Sequence, residues 1–172
     1  MLKPAKIYSL IFIPPLAQYV VTLEEVDGTR LVPIWIGITE GNAIAMVVQG
    51  QKFHRPLTHD LMANIIKDVG AKVERIVISD LKENAYYATI TIKQNGKTYE
   101  IDSRPSDAMA LAVRTKSPIF IDEKVFKLCP IINKPITEEE VKKFKEELKG
   151  LRPEDFFKRL DEEGGRAEGG ME

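Results

Sequence analysis

An α+β fold is predicted, made of a duplicated strand–strand–strand–helix unit with antiparallel hairpins and a C-terminal helical tail. Three observations predict it: an apolar segment that recurs, two hairpin turns at a matching interval, and two alanine-rich helix signatures behind them. Residues 5–13 resemble residues 71–79, 66 positions on. Gly28 and Gly96 lie 68 apart, and Ala43 and Ala108 lie 65 apart.

Taken in order, residues 5–13 and 71–79 read as opening strands. Residues 19–26 turn at Asp27-Gly28 and return through 30–36; residues 86–93 turn at Asn95-Gly96 and return through 97–101. Asp-Gly and Asn-Gly favour two-residue hairpins because both turn positions take positive φ. Ala88, Ile90 and Ile92 share one face of their strand, with Thr89, Thr91 and Lys93 on the other, the pattern of a half-buried strand. Thr39 and Ser103 are the expected helix N-caps, since a hydroxyl accepts a bond from an orphan N–H. Ala-x-Ala within each helix predicts close approach to the sheet or to the other helix.

The first unit adds a helix over 61–69, capped by Thr58 and stopped by Gly70. The second continues into a short strand over 117–121. Thr137-Glu138-Glu139-Glu140 is a capping box that opens a charged helix to Lys149. Pro153 suits the first turn of a last helix ending near Leu160. Val141, Phe144 and Leu148 give the tail an apolar stripe for docking. Residues 164–172, poor in apolar side chains, are expected to be disordered. The chain divides into a body, 1–133, and a tail, 134–172.

Hydrophobic residues make up 44% of the 172, enough for a core, and the net charge of −1 excludes a globally basic nucleic-acid footprint. Any polyanion site must be local. The single cysteine, Cys129, cannot form an intrachain disulfide or a zinc site alone; it reads as a small buried hydrophobe in a reducing compartment. Residues 7–13 are broken by Tyr8 and Ser9 and closed by Pro14-Pro15, so they read as a strand and not a leader. No run approaches the ~18 apolar residues of a membrane span. A cytoplasmic protein is expected.

No nucleophile elbow, P-loop, dinucleotide fingerprint or zinc motif is present, and His54 and His59 are spaced as no helical ligand pair. The chemistry instead gathers in two clusters. At the second strand-to-helix junction stand Asp102, Ser103, Arg104, Ser106 and Asp107, where the first unit has the plainer Gly37-Ile38-Thr39-Glu40-Gly41-Asn42. By the 65-residue offset, Asp102 replaces Gly37, Arg104 replaces Thr39 and Asp107 replaces Asn42. A turn at a helix N-terminus favours anions, though capping and the helix dipole account for Ser103 and Asp107 equally well. The other cluster runs from Gln51 to Asp60. In it Lys52 and Arg55 suit phosphates and Phe53 suits base stacking, while the plain alternative is a capped helix over a packed loop.

These motifs resemble the bifunctional nuclease domain family, whose members act on DNA and RNA. The resemblance rests on Leu31-Val32-Pro33-Ile34-Trp35-Ile36-Gly37 with Glu40-Gly41-Asn42-Ala43-Ile44-Ala45, on Arg55-Pro56-Leu57-Thr58-His59-Asp60-Leu61, and on the stretch from Asp102 to Ala112. It spans residues 3–129 and implies an α+β fold, nucleic-acid partners and a homodimer. It carries no fixed catalytic set, so the polar members of the motifs are the candidates. For hydrolysis these are His59, Asp60, Asp102 and Asp107. For substrate binding they are Lys52, Arg55, Arg104 and Ser106. For Mg²⁺ or Mn²⁺ they are Glu40, Asp102 and Asp107. Trp35 and the run 34–38 suit a two-fold interface.

The resulting expectation is a divalent-metal-dependent nuclease of low sequence specificity. The competing one is a non-catalytic, oligomeric module that uses the same polar turn to bind an anion, nucleic acid or protein.

Overall fold

The computed structural model describes the backbone of residues 1–164 and the side chains up to residue 159. The expected disorder therefore lies, from residue 165 onward, outside the described residues. The elements run β1 (Leu2–Ile13), β2 (Gln18–Glu25), β3 (Arg30–Gly37), α1 (Ile38–Val48), α2 (Thr58–Asp68), β4 (Ala71–Lys82), β5 (Ala85–Gln94), β6 (Lys97–Ser103) and α3 (Pro105–Thr115). After these come β7 (Ile119–Asp122), α4 (Glu123–Leu128), β8 (Ile132–Asn133), α5 (Glu138–Gly150) and α6 (Pro153–Gly164).

One mixed sheet holds all eight strands in the order β6-β5-β4-β7-β1-β2-β3-β8. The two three-stranded units flank β7, each with its first strand innermost. Strand β7 runs antiparallel to β1 and parallel to β4, so the units point in opposite directions. Alternation explains the core: Val21, Leu23, Ile34 and Ile36 face the helices with Ile76, Ile78, Ile90 and Ile92, and Ala43, Ala108 and Ala110 let α1 and α3 pack closely on them. A side chain at Gly41 would overlap the ring of Tyr19, so glycine sets how near α1 lies to β2.

The opposite face of β1–β3 is covered by the tail. Leu148 of α5 joins Ile13 and Val20, with Phe144 beside them. Phe156 and Phe157 of α6 enter the main core, where they stack on Trp35 and Tyr86. The capping box forms as read: Thr137 Oγ1 accepts from the Glu140 N–H, and Glu140 Oε2 accepts from the Thr137 N–H.

Five local readings need correction. The N-caps of α1 and α3 are Gly37 and Arg104, without a side-chain bond, and Thr39 and Ser103 do not cap. Thr58 is the first residue of α2, and Asp60 supplies the cap by accepting from the Leu57 N–H at 2.9 Å. Asn95-Gly96 makes the expected positive-φ turn (49° and 75°), but Asp27 and Gly28 do not adopt positive φ, because β2 and β3 are joined by a longer loop. Thr91 is buried, so β5 is covered on both faces there. Finally, Ile34 and Ile36 are buried and Trp35 packs on Phe156, so these three side chains serve the core, while Ile38 of the same run is exposed.

Ion pairs pin the ends of the strands. Arg30 binds Glu25 and Glu123 and stacks on Phe126, its centroid 3.9 Å from the guanidinium carbon. Glu24 is buried between Lys6 and Lys134. Burial works to raise the Glu24 carboxyl, but hydrogen bonds from Lys134 and Lys6 outweigh it and hold it below the ordinary value. Burial pushes the Cys129 thiol up to about 11, which keeps it protonated and inert.

Candidate functional site

Three helices begin at one place. Each carries an acid at its third residue, where the helix dipole favours negative charge: Glu40 in α1, Asp60 in α2 and Asp107 in α3. Their first turns are bridged by side chains. Arg104, the N-cap of α3, donates from Nε to Asp107 Oδ2 and from Nη2 to Glu40 Oε1, both at 2.9 Å. His59 Nε2 lies 2.9 Å from Asp107 Oδ1. An ionised carboxylate only accepts, so Nε2 carries the proton in this pair. Bonds first to Asp107 and then to Glu40 raise the Arg104 guanidinium above its ordinary value.

Exposure separates the members. The Arg104 side chain is 66% exposed, those of Asp107 and Glu40 are partly covered, and His59 is closed off at 6%. Arg104 is therefore the member of the bridge most open to solvent, and His59 backs Asp107 from inside.

Asp60 belongs to a second pairing on the same turn. Its Oδ2 caps Leu57, and its Oδ1 accepts from Arg114 Nε at 2.7 Å. The backbone bond from Leu57, followed by Arg114, keeps Asp60 below its ordinary value. With both oxygens engaged, Asp60 acts as a fastener between α2 and α3. Arg114 was missed in the sequence reading. Its signal is that it lies two turns after Asp107 on α3, as Asp60 lies one residue after His59 on α2.

The remaining candidates are spread out. Ser106 is buried in the first turn of α3. Lys52 and Arg55 sit exposed on the loop between α1 and α2, with no ion-pair partner among the described residues. Asp102 is exposed on the edge strand β6 opposite Thr89 and stands apart from the bridge. Glu40 and Asp107 converge, but on Arg104; among the described residues no three His, Cys, Asp or Glu side chains gather as a metal set. The expected equivalence of junctions also shifts. Counted from their first residues, Ile38 and Pro105, the two helices are offset by 67. Asp107 then matches Glu40 and Arg104 matches Gly37, so what the second unit adds is the arginine.

The model of the Bifunctional nuclease domain matches residues 21–134, a stretch that contains all three helix starts. The chain belongs to this family. The match takes in β3 to β8 with most of β2, while β1 and the tail helices lie outside it, and family membership supports a nuclease-related function. A Mycobacterium tuberculosis protein described only as uncharacterized is 38% identical over 151 residues, which cover 83% of this chain and 90% of that one. Bifunctional nuclease 1 of Oryza sativa subsp. japonica is 24% identical over 112 residues, 63% of this chain and 34% of the rice protein. Bifunctional nuclease 1 of Arabidopsis thaliana is 26% identical over 107 residues, 60% and 33% respectively. The plant proteins are thus about three times the length of the segment they share with this chain. No helix among the described residues is long and apolar enough to cross a membrane.

Proposed function

We propose that this bifunctional nuclease domain hydrolyses phosphodiester bonds in DNA and RNA with little sequence preference, at the start of α3. The observation that carries the reading is the exposed Arg104, held on Glu40 and Asp107 with His59 behind Asp107. A guanidinium binds a phosphate through two parallel hydrogen bonds. When Arg104 turns to a phosphate it releases Asp107 Oδ2. That oxygen then accepts a proton from the attacking water, while His59 keeps Oδ1 in place. The water oxygen bonds to phosphorus, the bond to the leaving sugar oxygen breaks, and that oxygen takes its proton from solvent. Low sequence preference follows from contacts made to phosphate, which carry no base information.

The carboxylates suit Mg²⁺ or Mn²⁺ by chemistry, and dependence on a divalent ion is part of the proposal. The donors do not fit a ready-made site, because Glu40 and Asp107 already share a guanidinium and Asp102 stands apart. No step is derived through a metal.

The test is cleavage of labelled single- and double-stranded DNA and RNA by the purified chain, with Mg²⁺, with Mn²⁺ and with chelator. Cleavage of both nucleic acids that Arg104→Ala slows supports the reading. Binding without cleavage would favour the non-catalytic module, for which the buried His59 is the supporting observation.

A further inference from the structure

We propose that the cavity behind the first turn of α2 receives one unpaired nucleobase, which makes single-stranded nucleic acid the preferred substrate. This deepens the nuclease reading and rests on it. The cavity measures about 270 Å³ and is walled by Met46, Val47 and Leu57, with Phe53, Lys52 and Arg114 as its chemical groups. Phe53 is 50% exposed, an aromatic ring left open to solvent on a loop. An exposed ring beside a cavity is a stacking platform, and every base offers a face to it. The Arg114 side chain, 7% exposed, is fixed by Asp60 and by the Ala110 carbonyl, which it reaches at 2.8 Å. Two of its five N–H donors are thereby used, and the others suit the carbonyl oxygens and ring nitrogens of a base. Lys52, exposed at the rim, suits the phosphate beside that base.

The volume falls just under the ~300–1,000 Å³ of ordinary ligand cavities, room for one ring system laid against Phe53. A base in a duplex must leave its stack to enter, at a cost that an unpaired base does not carry. Position joins the cavity to the proposed centre: Asp60 lines it, and the preceding residue, His59, holds Asp107.

The test is fluorescence anisotropy with the full chain, using labelled phosphorothioate oligothymidylate, the matching oligouridylate, and the duplex of each with its complement. Wild type is expected to bind both single strands more tightly than the duplexes. Phe53→Ala should weaken single-strand binding about 5- to 150-fold, the stacking of one base, and leave duplex binding unchanged. Phe53→Trp should restore it. Lys52→Ala should weaken binding and flatten its salt dependence. Equal affinity of Phe53→Ala and wild type, or equal losses on single strand and duplex, would overturn the base pocket while leaving the nuclease reading standing if cleavage persists. Failure of the wild type to bind any of the four probes overturns both.

Discussion

His59 Nε2 and Asp107 Oδ1 lie 2.9 Å apart and join two helices whose residues are 48 positions distant in the chain. The pair is sheltered on the imidazole side and open on the carboxylate side, so it fixes the carboxylate while leaving its other oxygen to Arg104. His59→Ala is expected to cost roughly 1.5–3 kcal/mol, the range for a hydrogen bond to a charged partner. Urea unfolding measures this, and an unchanged midpoint would show that the pair fastens nothing.

Arg104 should behave in the opposite way. Its own side chain is largely exposed, so Arg104→Ala is expected to change stability by only about 0–1 kcal/mol. The same change should weaken binding of a phosphate-bearing oligonucleotide by roughly 1.5–3 kcal/mol. Calorimetric titration and thermal melting on one preparation separate the two effects. A large stability loss with unchanged binding would make Arg104 a structural tie.

Acid should unfold the protein through its paired carboxylates. Glu24, Glu25 and Asp60 are all held below their ordinary values in the fold. Their contribution is complete above the ordinary carboxylate range, which for glutamate centres on 4.5. It is lost as the pH falls through the lowered values. Melting temperature should therefore be level above that range and drop steeply below it. In Glu24→Gln the drop should be shallower, because one titrating pair is gone. A slope as steep as that of wild type would remove Glu24 from the account.

The expected homodimer is better served by surfaces other than the run 34–36, whose side chains pack inside the fold. Leu61 and Ile65 on α2, with Val69 just after its end, repeat every four residues and are exposed, and Tyr99 and Ile101 are exposed on the edge strand β6. Unpaired edges and apolar stripes are commonly covered by a second copy. We expect sedimentation to give a dimer for wild type and a monomer for Ile65→Lys. A monomeric wild type at micromolar concentration contradicts this surface.

The periodicity of the strands and the alanines of α1 and α3 made the duplicated α+β plan legible, because burial acts through spacing that any one segment displays. What was not legible depended on segments far apart. Asp27-Gly28 looked like a tight turn, but the length of the loop decided its geometry. Trp35 looked free because its cover, Phe156, lies over a hundred residues later. Arg104, His59 and Asp107 were each readable as candidates from their residue types and helix starts. That Asp60 would be drawn off by Arg114, and that Glu40 would match Asp107, required the packing of three helices. Asp102 was selected for its neighbours in sequence, yet the strand turns it away from them.

In the proposed reaction Asp107, released by Arg104, takes the proton of the attacking water. The most direct measurement is the single-turnover cleavage rate of a labelled single strand by wild type, Asp107→Asn and Asp60→Asn, each checked for folding by circular dichroism. Loss of a proton acceptor should slow Asp107→Asn by about 10²–10⁴-fold, while Asp60→Asn, which alters only a fastener, stays within an order of magnitude of wild type once its lower stability is allowed for. Equal rates for folded Asp107→Asn and wild type would contradict the account.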